Sequence, residues 1–293
     1  MVGSLEGAFV RLPRPAALFQ ERAARFNALA DTHTLAPTLR FLAALSGIQQ
    51  RLAESLPVPA IPSIEELEGA YGYAQAPVER TRYDPDGAAL AIADALILGL
   101  AEVPMPEPAE AALARLAAAN AAERESALRG VLEEPAPDSA FAEHALLAAA
   151  LQIGFAGMAA EMEAERLQPV AEGTACPVCG SPPLVSLMPD WQGARGTRYC
   201  VCGLCGTAWN YDRIKCTLCG STEGIAYHRS NGDAGAIEAE SCAACRRYVK
   251  ILHQHKDPSL EPLADDVASL GLDLRMRETG FARGGIDPFL LGY

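Results

Sequence analysis

Four Cys-x-x-Cys pairs in the C-terminal half constrain the fold of this chain more than any other feature of its sequence. They use eight of the nine cysteines, and in each of two cassettes 22 residues separate one pair from the next. In such cassettes two tight turns bring four thiolates to one tetrahedral metal ion. The spacing therefore predicts two four-cysteine metal sites, one made by Cys176, Cys179, Cys202 and Cys205 and the other by Cys216, Cys219, Cys242 and Cys245.

The turns that carry these cysteines are alike in sequence. A glycine follows the second cysteine in three of them, as Gly180, Gly206 and Gly220, at a place where a positive φ suits glycine. Such a turn aims backbone N–H groups at the sulfurs and spreads their charge. Arg246 occupies this place in the fourth turn. Either its guanidinium offsets the negative charge of the site, or the turn simply continues into a strand.

Other residues close to the cassettes also carry ligand atoms. Cys200 offers a third thiol beside Cys202, and the spacing rule predicts that it is a strand residue next to the first site. His253 and His255 follow the last pair. Since four thiolates complete a closed tetrahedral site, we expect one of these histidines to be packed and the other solvated.

Composition and hydropathy restrict the compartment. The chain begins MVGSLEGAFVRLPRP, without a charged segment followed by an apolar run, so we expect no secretory signal and a cytoplasmic protein. In that compartment cysteines at metal spacing are ligands rather than disulfides. The longest apolar run, residues 145–160, is shorter than the roughly 20 residues that span a bilayer. It is expected to form a buried helix, with no membrane insertion.

Charge and cysteine content change together near residues 168–174. Residues 1–170 carry a net charge of −11 and no cysteine, whereas the remainder carries −2 and all nine cysteines. We therefore predict an α+β protein with a helical bundle over residues 1–170. A first rubredoxin-like or zinc-ribbon β module is predicted over 171–212, and a second over 213–293 with a C-terminal helix and tail.

Residue patterns predict the individual elements. Apolar residues recur at helical spacing over 39–52. Further helices are predicted over 86–103, 110–119 and 121–133, and from an N-cap at Asp138 to about residue 167. Short β-branched and aromatic runs predict strands at 197–201, 207–211, 225–228, 237–240 and 248–253, and a last helix is expected from 258 to 271 or beyond. Modules this small have little core, so a metal would supply most of their folding free energy.

The cysteine motifs are specific enough to indicate a family. The order CPVCGSPP, RYCVCGLCGTAW, KCTLCGS and ESCAACRRYVK, with the closing stretch DPSLEPLADDVASLGLDLRMRETGFARGGIDPFLLGY, resembles the FdhE family of formate dehydrogenase accessory proteins. The resemblance covers essentially the whole chain, and the ligand pairs of the family fall on the eight cysteines of the two cassettes. The family does not usually have cysteine at the position of Cys200, so whether a third thiol competes at the first site stays open.

The resemblance implies a cytoplasmic assembly factor rather than an enzyme. It implies that the chain binds the catalytic subunit of a respiratory formate dehydrogenase, which carries molybdenum and iron–sulfur cofactors, before that subunit is exported by the twin-arginine pathway. Four thiolates suit either zinc or a single iron, and spacing does not separate the two. The resemblance favours two mononuclear iron ions, with zinc as the alternative. We expect the client to bind where the helical half meets the modules, near one metal site.

Other functions of four-cysteine modules fit the sequence less well. Zinc ribbons that bind nucleic acid need a basic face, whereas this chain has a net charge of −13 and a pI near 4.9, so no nucleic-acid partner is expected. A thiol–disulfide oxidoreductase places one CxxC at a helix N-terminus, unlike the four turns here. A zinc protein whose sites are purely structural stays open as an alternative.

Overall fold

The computed structural model describes residues 8–85, 87–133, 138–229 and 235–290. Apart from one two-residue strand, the regular structure in the described part of the first half is helical. The helices are α1 (Pro15–Ala30), α2 (Ala36–Ser55), α3 (Ile64–Gly72), α4 (Gly87–Leu100), α5 (Glu107–Ala118), α6 (Ala121–Glu133) and α7 (Phe141–Ala160). Two more, α8 (Pro262–Ala268) and α9 (Leu270–Glu278), follow the cysteine modules. The predicted helical first half is therefore confirmed.

Helix α7 is the centre of the bundle. It contacts α1, α2, α4, α5 and α6, and its side chains are buried without interruption from Leu146 to Ala159. Glycines let neighbours approach closely: a Cβ added at Gly154 would lie 3.1 Å from Pro59. Within the described chain it is the one helix long and apolar enough to cross a membrane, yet 72 % of its apolar window is buried inside the protein. It is thus a core helix, as predicted for residues 145–160.

Several helix boundaries differ from the sequence prediction. Helix α7 begins only at Phe141, because Asp138–Ala140 form a 3₁₀ turn. It ends at Ala160 rather than near residue 167, since the chain changes there to a loop and a 3₁₀ turn. The last helix starts at Pro262 because Glu261 caps it. The Glu261 carboxylate accepts hydrogen bonds from the N–H groups of Leu263 and Ala264. It breaks at Ser269 into α8 and α9. Residue 86, the predicted start of another helix, lies outside the described residues.

The described strands form one sheet. They are β1 (Val10–Arg11), β2 (Pro183–Met188), β3 (Arg198–Cys202), β4 (Ala208–Tyr211), β5 (Ile225–His228), β6 (Ile237–Cys242), β7 (Arg247–His253) and β8 (Ala282–Arg283). Their order across the sheet is β1-β4-β3-β2-β7-β6-β5, and β8 lies beside β7. The predicted strands correspond to β3–β7, whereas β1, β2, β8 and the helices α1 and α3 were not predicted.

Strand β2 joins the two cysteine modules. It pairs antiparallel with β3 in the first module and parallel with β7 in the second, where Ser186 lies opposite Ile251 and Met188 opposite His253. All six residues of β2 are buried, and a strand buried on both faces needs cover on both. The two predicted β modules therefore share one sheet.

Buried ion pairs reinforce the contact between the modules. Arg198 of β3 binds Glu240 of β6 through two hydrogen bonds, of 2.8 and 3.1 Å, and both side chains are almost fully buried. Arg198 also donates to the Ser186 hydroxyl in β2, at 2.6 Å. One guanidinium thus connects three strands from both modules.

A second buried cluster of charges fixes the C-terminal helices to the sheet. Lys250 of β7 lies 3.1 Å from a carboxylate oxygen of Asp266 in α8 and 2.5 Å from Asp273 in α9. Arg283 of β8 binds both aspartates. Asp287 completes the cluster, and its pKa is raised well above its ordinary value by burial and by the charge of Asp266. Two cations, Lys250 and Arg283, thus lie against the carboxylates of Asp266 and Asp273.

The helical half and the second half meet through buried polar contacts. Arg22 of α1 pairs with Glu261 at 3.3 Å, and Arg25 binds Asp265 through two hydrogen bonds of 2.7 and 2.9 Å. These pairs connect α1 to α8, which packs against the sheet strand β2. The two halves are therefore held together by specific contacts.

The chain after β8 runs back across both modules. A Cβ added at Gly284 would overlap Leu218 of the second module, and one at Gly285 would overlap the carbonyl of Leu184 in β2. Leu290 is buried. The described part of the tail therefore docks on the body, and at Gly285 only glycine fits against the backbone carbonyl.

Candidate metal centres

The structure gathers four cysteines of the first cassette around one point. Their sulfur atoms all lie within 4.8 Å of one another. Cys176 and Cys205 are 3.5 Å apart at their sulfurs, and Cys179 and Cys202 are 3.4 Å apart. A tetrahedral ion with metal–sulfur bonds of about 2.3 Å requires sulfur separations of about 3.8 Å. The arrangement is close to that requirement without any rearrangement of the chain.

The four cysteines of the second cassette form an equivalent group, also within 4.8 Å. Here the sulfurs of Cys216 and Cys245 are 3.9 Å apart, and those of Cys219 and Cys242 are 3.7 Å apart. Each group takes both of its turns from one cassette, and the two groups do not interleave. The donor set of four thiols fits zinc or a single iron equally. Metal ligation by these eight residues stays a prediction.

Local backbone geometry explains why the turns form. Gly180, Gly206 and Gly220 have φ angles of 71°, 76° and 72°, in the left-handed region that glycine adopts at least cost. Arg246 adopts the same conformation, with φ of 58°. Its guanidinium lies 4.7 Å from the centre of the Phe281 ring, a cation–π contact. Arg246 is thus a fourth turn residue, and strand β7 begins only after it.

Backbone N–H groups reach the sulfurs in both groups. Cys202 accepts from the N–H groups of Leu204 and Cys205, each at 3.4 Å, and Cys216 accepts from Leu218 at 3.4 Å. Such bonds stabilise a thiolate and tune any metal it holds. The predicted role of the turns in aiming N–H groups at sulfur is therefore confirmed.

Hydroxyl groups distinguish the first centre from the second. Ser181 lies 3.3 Å from the Cys179 sulfur, and Thr207 lies 3.1 Å from the Cys205 sulfur. At the equivalent places in the second cassette the chain has a serine and an arginine. That serine, Ser221, instead accepts the N–H of Glu223 at 3.1 Å.

The helical half covers the first turn of the first centre. The N–H groups of Val78 and Arg80, in the segment between α3 and α4, donate to the carbonyls of Val178 and Cys179 at 2.9 and 3.0 Å. These two hydrogen bonds hold a loop of the helical half directly against the metal-binding turn. The turn is therefore fixed from its outer side as well as by its own hydrogen bonds.

The second turn of the first centre is covered in the same way. Gln152 of α7 donates to the Gly203 carbonyl at 2.7 Å, and the Leu18 side chain of α1 lies where a Cβ at Gly206 would be. As a result all four cysteines of the first centre are at most 2 % exposed. The first centre is therefore enclosed between the helices and the sheet.

The second centre reaches the surface. Cys219 is exposed and Cys245 is half-buried, whereas Cys216 and Cys242 are buried. Exposed apolar side chains stand on the chain near it: Ile214, two residues before Cys216, is 69 % exposed. The two centres have the same ligands and spacing but differ in exposure.

The remaining predicted candidates lie outside the two groups. Cys200 is a buried residue of β3, opposite Ser186 and Trp209. Burial raises the pKa of its thiol to about 12, although Arg198 acts to lower it, so the thiol is neutral. This agrees with its prediction as a strand residue.

The two histidines after the last cysteine also fall outside both groups. The Nε2 atom of His253 lies 2.6 Å from a carboxylate oxygen of Glu238. Burial lowers the pKa of His253, against the opposing effect of Glu238. His255 is exposed. One histidine is packed and the other solvated, as predicted.

Sequence reasoning missed the residues that enclose the first centre. Val78, Arg80, Gln152 and Leu18 lie far from the cassettes in the chain, and no motif marks them. A single glutamine in the apolar run of α7 is the one visible signal, since a buried amide needs a partner.

Comparison with known proteins gives one family over the described chain. Three family models match: "FdhE, N-terminal" over residues 8–172, "FdhE, central domain" over 175–213 and "FdhE, C-terminal domain" over 214–290. The division into domains at 1–170, 171–212 and 213–293 itself stays a prediction.

Curated relatives and a crystal structure resemble the whole chain. An FdhE homolog of Rhizobium meliloti (strain 1021) is 40% identical over 287 residues, which are 97% of this chain and 94% of that protein. One from Cronobacter sakazakii is 35% identical over 279 residues, 95% of this chain and 89% of that protein. The crystal structure of the FdhE protein from Pseudomonas aeruginosa has a TM-score of 0.84 and 30% identity, covering 98% of this chain and 99% of that one.

Proposed function

The chain belongs to the FdhE family, and from this premise we propose that it is a cytoplasmic accessory protein for formate dehydrogenase. It acts without catalysis of its own. It binds the catalytic subunit of the enzyme before that subunit is exported, and it holds one iron ion in each four-cysteine centre. The observation that carries the proposal is the pair of four-cysteine groups, whose sulfurs lie within 4.8 Å in each, in a chain of this family.

The metal is tested by purifying the full chain without oxygen. We expect two iron ions per chain and the absorption bands of thiolate-to-iron charge transfer. Cys200→Ser is the matched control, since Cys200 is a buried cysteine outside both groups. It should keep both ions, whereas Cys179→Ser and Cys219→Ser should each lose one. A colourless chain with two zinc ions would show that the centres hold zinc rather than iron and that their role is structural.

In place of the junction between the halves that was expected from the sequence, the client contact is proposed at the face of the second centre. Buried ion pairs such as Arg22 with Glu261 already hold the helical half and the second half together. The side chains of these pairs are therefore already used within the protein. By contrast Ile214 and Tyr227, 69 % and 54 % exposed, stand in the second module. Exposed apolar and aromatic side chains of this kind anchor protein partners.

Capture of the catalytic subunit by immobilised full-length protein tests this contact. Ile214→Ser and Tyr227→Ser should each weaken capture, and Leu98→Ser should not, although Leu98 of α4 is equally apolar and 78 % exposed. Equal loss with all three variants would show that the face was misassigned. No capture by the unmodified protein would refute the client itself.

A further inference from the structure

The two centres differ in the access that solvent has to their sulfurs. All four sulfur-bearing residues of the first centre are buried, whereas Cys219 of the second is exposed and Cys245 half-buried. A ligand that replaces a metal-bound thiolate must approach the metal as the thiolate leaves. In the first centre the four cysteines are at most 2 % exposed, and in the second Cys219 is exposed.

The departing thiolate also meets different surroundings in the two centres. In the first, the Ser181 and Thr207 hydroxyls lie 3.3 and 3.1 Å from sulfur atoms, and the carbonyl of Cys179 is bonded to the helical half. A sulfur that moved away there would break contacts on several sides. In the second centre the turn of Cys219 is not tied to the helical half by any hydrogen bond described for its residues, and Cys219 is exposed.

We infer that the second four-cysteine centre is an exchangeable metal site that opens at Cys219, whereas the first centre retains its ion. With a metal bound, Cys219 would be the ligand that an incoming donor replaces first, because it is the exposed one, and its sulfur would be released into solvent. The half-buried Cys245 would be the next to leave, and the buried Cys216 and Cys242 would hold the ion longest.

This inference rests on the proposed binding of a metal in both centres, but it is independent of the client. The experiment uses the full chain loaded with two zinc ions, which avoids oxidation of iron during the measurement. Excess of a chromogenic chelator is added, and zinc release is followed by absorbance. We expect two phases of one ion each, with rates that differ by more than tenfold.

Iodoacetamide labelling during the fast phase identifies the site. Peptides that contain Cys219 and Cys245 should be alkylated first, while those of the first centre stay unmodified until the slow phase. Cys219→Ser should abolish the fast phase. The labelling pattern of the unmodified chain decides the matter even where this variant folds poorly. Cys200→Ser should leave both phases unchanged.

Three results would overturn the inference. They are release of both ions at one rate, alkylation of first-centre cysteines in the fast phase, and a fast phase that survives Cys219→Ser. A chain that binds no metal at all would overturn the proposed metal centres together with this inference, whereas two ions released at one rate would overturn the inference alone.

Discussion

Replacement of Lys250 by methionine tests the buried charge cluster behind the sheet. The Lys250 side chain is fully buried, and its ammonium lies 2.5 Å from Asp273, 3.1 Å from Asp266 and 2.7 Å from the Asp266 carbonyl. Methionine has a similar length but no charge. Arg283 alone would then face two ionised aspartates, and one negative charge would stay buried without a partner.

The expected loss follows from that unpaired charge. Removal of one partner from a buried ion pair costs about 3–5 kcal/mol of unfolding free energy. Lys256→Met is the matched control: Lys256 is exposed and donates one hydrogen bond to the Gly235 carbonyl, and surface substitutions of this kind change stability by about 0.5 kcal/mol or less. Urea unfolding of the metal-loaded chain, followed by far-UV circular dichroism, gives both values.

The pH dependence provides a second test of the same variant. In the native chain Lys250 and Arg283 lower the pKa of Asp266 against the effect of burial. Without Lys250, burial raises the pKa of a cluster carboxyl above its unfolded value. The folded variant then binds a proton that the unfolded chain does not. The loss of unfolding free energy relative to the unmodified chain is therefore largest at high pH and shrinks as pH falls through the raised pKa. A deficit that is equal at about pH 8 and about pH 5.5, or smaller than about 1 kcal/mol, would refute this electrostatic account.

Three further substitutions test one contact between the two modules and two contacts between the helical half and the first module. Glu240→Gln leaves the Arg198 guanidinium buried with a neutral partner and should cost about 3–5 kcal/mol in urea unfolding. Gln152→Leu removes the donor to the Gly203 carbonyl and should cost about 1–3 kcal/mol, with faster zinc release from the first centre. Gly206→Ala forces an alanine to φ of 76° and a methyl group against a leucine side chain, and it should cost more than about 1–2 kcal/mol in thermal unfolding.

Matched controls separate these effects from general damage. Gln50→Leu is the counterpart of Gln152→Leu: Gln50 contacts only Glu54, through one exposed hydrogen bond of 3.2 Å among those described, so it should leave zinc release unchanged. Gly193→Ala has a similar φ of 79° but open space around the added methyl group. Equal costs at the two glycines would show that the leucine contact adds nothing. An unchanged free energy of unfolding in Glu240→Gln would contradict the expected ion-pair energy.

The cysteine groups could be predicted because their geometry is local. Two residues between cysteines, followed in three of the four turns by a glycine, already dictate the turns, and equal gaps within the cassettes pair the turns correctly. The same locality explains the success with β3–β7, whose β-branched and aromatic runs are visible in the sequence. Helix α1 was missed although Phe19, Arg22, Phe26 and Ala30 recur at helical spacing along its buried face.

The exposure of the centres could not be predicted, because it depends on distant parts of the chain. The two cassettes are nearly equivalent as sequences, and only the placement of the helical half makes one enclosed and the other open.

Strand β2 was missed for a related reason: a short apolar run such as PLVSLM has no alternation to mark it as a strand. Its role as the junction of two modules depends on β7, about 60 residues further along the chain.

The parallel pairing of β2 with β7 has a consequence for any attempt to isolate one module. A chain cut near residue 213 would leave β2 as an edge strand, with the N–H and C=O groups of Ser186–Met188 that face β7 unpaired. The complementary piece would leave the matching stretch of β7 bare. Apolar strands with free edges of this kind attach to other chains and aggregate. Each module therefore covers the strand edge through which the other would self-associate, and the two modules stay soluble only together.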